Sequence, residues 1–157
     1  MDAEELIRRY DAGERDFPEV DLEGADFTDA DLTNGGLIDV DLSGINLSNS
    51  NLGAAYMEGV NLSGANLQNT TMGEVCLDRA NLRGADLSGC GFDFGSLSCA
   101  DLTNAKLVGT HFSGTDLIKT NLTGADLTGA ELDGAWIEDC IFCNTIMPDG
   151  SIRNDNC

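Results

Sequence analysis

Nucleophilic or acid–base chemistry needs a reactive group beside a partner that can take or give its proton. This chain offers few starting points. It has one histidine, His111, and six cysteines: Cys76, Cys90, Cys99, Cys140, Cys143 and Cys157. Cys140 and Cys143 have the C-x-x-C spacing of a redox pair or of half a zinc site. No second such pair follows and no βαβ pattern surrounds the first, so neither chemistry gains support. An even cysteine count in a short secreted chain suggests disulfides, but nothing here indicates secretion, and free thiols are the first expectation. A bond from Cys157 to Cys140 or to Cys143, tying down the C-terminal tail, is the alternative. Columns of Asp and Asn supply oxygen ligands, yet the calcium-binding nonapeptide pattern is absent. No catalytic group, cofactor or metal is expected.

A repeat positions all of these residues. Stepping by five from Phe17 gives Leu22, Phe27, Leu32, Leu37 and so on to Phe142 and Met147, and all 27 positions are large and apolar, without a slip. Two residues before each centre sits a small or slim residue, as at Ala65, Ala80, Ala85 and Ala105. One residue before, Asp or Asn stands at 15 of the 27 positions, too often for each to be a separate site. A period of five fits neither the 3.6 of a helix nor the two of a strand. Two inward residues flanking an outward one make a short extended piece, and the next two residues make a corner. A chain that turns every five residues with its large residues inside must coil.

Four corners close a square, so one coil takes twenty residues. Stacked at the strand spacing, nearly seven coils form a rod roughly 32 Å long. Residues twenty apart then share a column. One inner column reads Leu32, Leu52, Met72, Phe92, Phe112, Leu132, which puts two phenyl rings together. Another reads Ser50, Thr70, Cys90, Thr110, whose polar groups are expected to bond to one another along the axis. In this register Cys140 points inward while Cys143 sits on a corner, so the two diverge. His111 points outward between Gly91 and Glu131, as a solvated surface histidine. The second corner residue is often Gly, Asn or Asp, which tolerate the positive φ of a type II turn. Glu74, Arg79, Phe94 and Lys119 occupy it elsewhere and predict type I corners there, hence a mixture.

The A-[DN]-L-x-x pattern, written twice in "ANLRGADLSG" at residues 80–89, resembles the pentapeptide-repeat family, its cyanobacterial members especially. The resemblance covers residues 16–147, 84% of the chain. It implies an all-β solenoid, a right-handed quadrilateral β-helix. It implies little about activity, because most members have none assigned.

Solenoids need caps at their ends. Asp2 with Glu5 three residues on has capping-box spacing, and Leu6, Ile7 and Tyr10 share a helical face. The chain therefore divides into an N-terminal capping α-helix within residues 1–15 (helical over 3–12), a β-helix over 16–147, and a tail over 148–157. In the final coil the outward positions hold Trp136, Ile141 and Ile146 in place of Asp or Asn. Such a patch is rarely left bare. The tail, with its Pro148-Asp149-Gly150 turn and Ile152, is expected to fold back over it; dimerisation through this end is the alternative. Trp136, Ile141, Ile146 and Ile152 thus form the candidate interaction or capping patch.

Lys and Arg number 8 against 28 Asp and Glu, a net charge of −20. That balance disfavours direct binding of nucleic acid or anionic membranes. With no basic-then-apolar leader and no long apolar run, a cytoplasmic monomer is expected. The function expected is a non-enzymatic, rigid acidic rod that binds a protein partner. The alternative comes from family members that mimic duplex DNA and protect DNA gyrase from quinolones. Residues 16–147 hold 21 acids and 4 bases, roughly one net charge per 1.9 Å of rod against ~1.7 Å for B-DNA. The distribution argues against mimicry: nine acids and no base lie between Asp16 and Asp41, while residues 42–72 contain only Glu58. The projecting loop and long C-terminal helix of those resistance proteins are also absent.

Overall fold

The computed structural model describes Glu5, Leu6, Arg8, Arg9, residues 12–14, Leu22 and residues 25–157. From Asp26 to Ile146 the chain climbs in square coils. Twenty-one parallel bridges join outward residues, and every one links residues twenty apart. The repeat at Leu52 shows the bonding rule. The Leu52 amide donates to the carbonyl of Thr71 in the coil above at 2.8 Å, and the Asn51 amide to that of Ala30 in the coil below at 2.9 Å. Ala55 then closes the corner by donating to Leu52 at 3.0 Å. Six steps separate Asp26 from Ile146 in one column, roughly 29 Å at the strand spacing.

All corners follow one pattern. From Asp29 to Asn144 every second corner residue has positive φ, and fourteen of these are not glycine. The mixture expected from Glu74, Arg79, Phe94 and Lys119 is not found: their φ values are 58°, 59°, 58° and 59°. Coil stacking overrides residue preference, because the amide of each such residue must reach a carbonyl nineteen residues on. Arg79 donates to Ser98 and Lys119 to Glu138, both at 2.9 Å. A left-handed non-glycine residue costs about 1–2 kcal/mol, which the ladder bonds on either side oppose.

The interior is filled by the columns read from sequence. Phe92 and Phe112 are fully buried and stacked, with centroids 5.3 Å apart and planes within 4°. The slim inner residues behave differently from expectation. Their hydroxyls do not bond to one another but to the backbone: Thr70 donates to the Leu47 carbonyl at 2.7 Å, and Thr110 to that of Leu87 at 2.9 Å. The centre's carbonyl already accepts the corner amide and has a second lone pair facing inward. Each hydroxyl in the next coil takes it. Among the described residues no buried side-chain nitrogen or oxygen lacks a partner.

The ends are built differently. Glu5, Leu6, Arg8 and Arg9 have helical conformation, and buried Leu6 borders the same small apolar void as Leu22 and Phe27. Asp2, Ile7 and Tyr10 lie outside the described residues, so the capping helix over 3–12 is not carried by what is described. At the other end two short strands, β1 (Thr145–Ile146) and β2 (Ile152–Arg153), pair antiparallel, turning through Pro148–Gly150. The corner register ends there, and Gly150 takes the positive φ, at 81°.

Candidate interaction surface

A square coil has four outer faces, named here by one centre each. The Leu42 and Leu47 faces carry the Asp and Asn columns. On both, the Asp and Asn side chains cap corners, and Asn46, Asn61, Asn66 and Asn81 also tie coils together. The side-chain oxygen accepts the amide two residues on, as Asp41 does from Ser43 at 3.0 Å. The Asn amide group of the next coil also donates down the column: Asn61 to Asp41 at 2.9 Å, Asn81 to Asn61 at 3.0 Å, and Asn66 to Asn46 at 3.0 Å. Asn or Asp is thus the residue that both closes a corner and ties two coils.

The carboxylates respond to these bonds. Asp41 is held below the usual carboxylate range by the Ser43 amide and hydroxyl, with Asn61 adding to them. For Asp101 burial pushes upward, but the hydroxyl and amide of Thr103 and the guanidinium of Arg83 outweigh it, and the net shift is downward.

The Met57 face breaks this rule. Its outward column reads Gly36, Tyr56, Cys76, Ser96, Asp116, Trp136. Beside it Ile38 is 48% exposed and Tyr56 47%, and Phe94 on the adjoining corner is 74% exposed. Between Ile38, Asp39, Glu58, Gly59 and Arg79 lies a surface groove of about 410 Å³. Glu58 organises one wall, accepting from the Tyr56 hydroxyl at 2.8 Å and pairing with Arg79. Gly59 leaves room there: with φ at 69°, it lies against the Asp39 carboxylate, which a Cβ would push aside. The patch expected from sequence at the C-terminal end does not include this face beyond Trp136. The signal of the face was present in the sequence, as the absence of Asp and Asn at five of six places spaced by twenty.

Of the four expected patch residues only Ile146 and Ile152 are brought together. Trp136, Ile141 and Ile146 cap the columns of Asp116, Asn121 and Asp126, and therefore leave three different faces of the square. Ile146 pairs with Ile152 across β1 and β2. The tail does fold back, but over Phe142: Arg153 stacks at 3.8 Å from its ring centroid and Asn156 donates to the Cys140 carbonyl at 2.9 Å. Trp136 stays 63% exposed. Of the two disulfides weighed, Cys143–Cys157 is the one formed. Cys140 turns inward and donates its thiol to the Leu117 carbonyl.

The remaining chemistry is sparse. Burial drives the Cys90 thiol up to about 12, and its sulfur donates to Leu67. His111 contacts Glu131 at 3.0 Å on an exposed surface. Among the described residues no three His, Cys, Asp or Glu side chains gather as a metal would require.

Comparison with curated proteins returns no match. Among solved structures the chain is similar to QnrB1, a plasmid-mediated fluoroquinolone resistance protein, at 23% identity and a TM-score of 0.72. That likeness covers 77% of this chain but only 62% of QnrB1, and at this identity it shows the fold alone. The pentapeptide repeat protein Rfr23 of the cyanobacterium Cyanothece 51142 matches at 25% identity and a TM-score of 0.61, over 70% of this chain and 85% of that one. One from the thylakoid lumen of Arabidopsis thaliana matches at 32% and 0.57, over 62% and 68%. The sequence pattern described as Pentapeptide repeats matches in eight copies within residues 14–144. Square coils of twenty residues, built from five-residue units and matched across most of their length, place this chain in the pentapeptide-repeat family, whose fold is the right-handed quadrilateral β-helix.

Proposed function

We propose that this protein is a non-enzymatic interaction module that presents its Met57 face to a protein partner. One observation carries the reading. Two faces lose the Asp and Asn ladder, but the Leu52 column continues with Thr71, Gly91, His111 and Glu131, whereas the Met57 face exposes Ile38, Tyr56 and Trp136. A ladder residue stabilises the rod, so its replacement by bare apolar side chains costs stability and needs another use. Aromatic side chains at protein interfaces carry much of the binding energy, and a groove walled by Ile38 and the Glu58–Arg79 pair offers both apolar area and fixed charge. The family supports the same class, since its members are generally structural or interaction proteins.

The proposal includes a monomer that binds neither nucleic acid nor membrane directly, and a cytoplasmic address. Among the described residues no helix is long and apolar enough to cross a membrane. Cys143–Cys157 is the feature a reducing cytoplasm would open. The test uses the full chain as bait in native lysate, beside the Ile38→Ser/Tyr56→Ser double variant and Asn61→Ala. Partners lost with the double variant and kept with Asn61→Ala support the Met57 face. Equal capture by all three baits overturns it. A supercoiling assay addresses the gyrase alternative, and inhibition or protection by micromolar protein would replace the present reading with that one.

A further inference from the structure

The tail covers only half of the last coil. After Ile146 the chain turns away through Pro148–Gly150, so none of the described residues runs over residues 130–139. Among the described residues, the amides of Leu132, Gly134, Ile137 and Asp139 and the carbonyls of Ala130 and Ala135 form no backbone hydrogen bond. One coil earlier the equivalent amides of Phe112, Leu117 and Lys119 and the carbonyls of Thr110 and Thr115 are all engaged in the ladder, and Gly114 alone is not. The spacing of the open groups is informative. Within the rod each parallel bridge is a residue held between a carbonyl and the amide two places on: Ile146 donates to Ala125 at 2.9 Å and accepts from Leu127 at 2.8 Å. Ala130 with Leu132, and Ala135 with Ile137, are two such brackets standing empty.

The side chains around this edge say what fits. Leu132 and Ala135 are half-buried, Ile137 is 37% exposed, and Trp136 stands beside them. Glu131, Asp133, Glu138 and Asp139 are exposed along the same stretch, which contains no Lys or Arg. Lys119 lies one coil below Asp139, Arg153 stacks on Phe142, and His111 contacts Glu131. A second copy of this chain would set these four acids against themselves. We propose instead that the open edge receives an extended segment of another protein, added as a parallel strand. Its apolar residues would lie against Leu132 or, around the corner, against Ile137, and its Lys or Arg side chains would face the neighbouring acids. Backbone pairing supplies the register and opposite charge selects the partner.

This deepens the interaction reading at one end of the rod, and the two fail separately. The probe is a fluorescent hexapeptide of alternating Lys and Val, read by anisotropy and by amide exchange of the full chain. The expected result is binding, with exchange at Leu132 or Ile137 slowed about tenfold or more, as bonded amides require. The same peptide with N-methylated backbone keeps its charge and should not protect either amide. The Asp133→Lys/Glu138→Lys variant should weaken the unmodified peptide about tenfold, and an alternating Glu and Val peptide should bind that variant better. Equal protection by the N-methylated peptide, or binding with no protection, would overturn the proposal. So would protection of Leu132 and Ile137 without peptide together with a doubled mass in sedimentation, since a second copy would then hold the edge. The Ile38→Ser/Tyr56→Ser variant should bind the peptide unchanged; if that variant alone loses captured partners, the Met57 reading stands whatever the edge does.

Discussion

The Leu42 and Met57 faces share a core and differ most in what they turn outward. Behind each stands a column of buried centres, Leu62, Leu82 and Leu102 on one, Met57, Leu77 and Leu97 on the other. In front, the Leu42 face is tied coil to coil by Asn61 and Asn81, while the Met57 face shows Tyr56, Cys76 and Ser96. The folding instruction therefore resides in the inner columns and the corner. An outer ladder can be removed from one side without losing the coil, which frees that side to specialise.

If so, core truncations on the two faces should be equivalent. Leu82→Ala and Leu97→Ala should each lose about 2–5 kcal/mol in chemical denaturation. A gap between them of more than about 2 kcal/mol would show that the outer ladder stiffens the core behind it. Outward substitutions should separate the faces. Asn61→Ala removes the bond to Asp41, the bond from Asn81 and the corner cap at Ser63, and should cost about 1–2 kcal/mol. Tyr56→Ser should stay within about 0.5 kcal/mol. Equal losses would end the distinction.

Acid should act on the ladder. The depressed carboxyls of Asp41 and Asp101 contribute stability that is fully present above the unfolded carboxylate value of about 3.9. That contribution is lost as pH falls through their lower folded values. Relief of the −20 net charge works in the opposite direction, so the comparison must be internal. The difference in urea midpoint between pH 6 and pH 3 should shrink in Asp101→Asn, and an unchanged difference would count against the bonds at Thr103 and Arg83. A small effect of opposite sign is expected at a corner of the Met57 face. Lys119 holds φ at 59° and makes no side-chain bond among the described residues, so Lys119→Gly should stabilise by about 0.5–1 kcal/mol. Destabilisation would mean that its amine serves the acids around Asp139.

The period of five, the coil of twenty and the stacking of Phe92 on Phe112 were legible because they need only the spacing of large residues. The corners at Glu74, Arg79, Phe94 and Lys119 were misread because local preference was weighed without the ladder bond that overrides it. The inner hydroxyls were misassigned for a related reason: a column tells which side chains are neighbours, not that a carbonyl lies closer. Cys143 rather than Cys140 bonds Cys157 because the register had already turned Cys140 inward. Trp136, Ile141 and Ile146 looked contiguous in sequence, yet steps of five rotate them onto different faces. The same rotation concealed the Met57 face, whose members lie twenty apart.

Because every coil repeats the same bonds, length and phase can be edited independently in such a protein. Duplicating twenty residues would lengthen the rod by one step of about 4.8 Å and leave all four faces aligned. Duplicating five would keep the corner rule but swing everything beyond it by a quarter turn, carrying Trp136 onto a neighbouring side. A partner that touches two coils at once thus reads a vernier, in which copy number sets distance and the remainder sets direction.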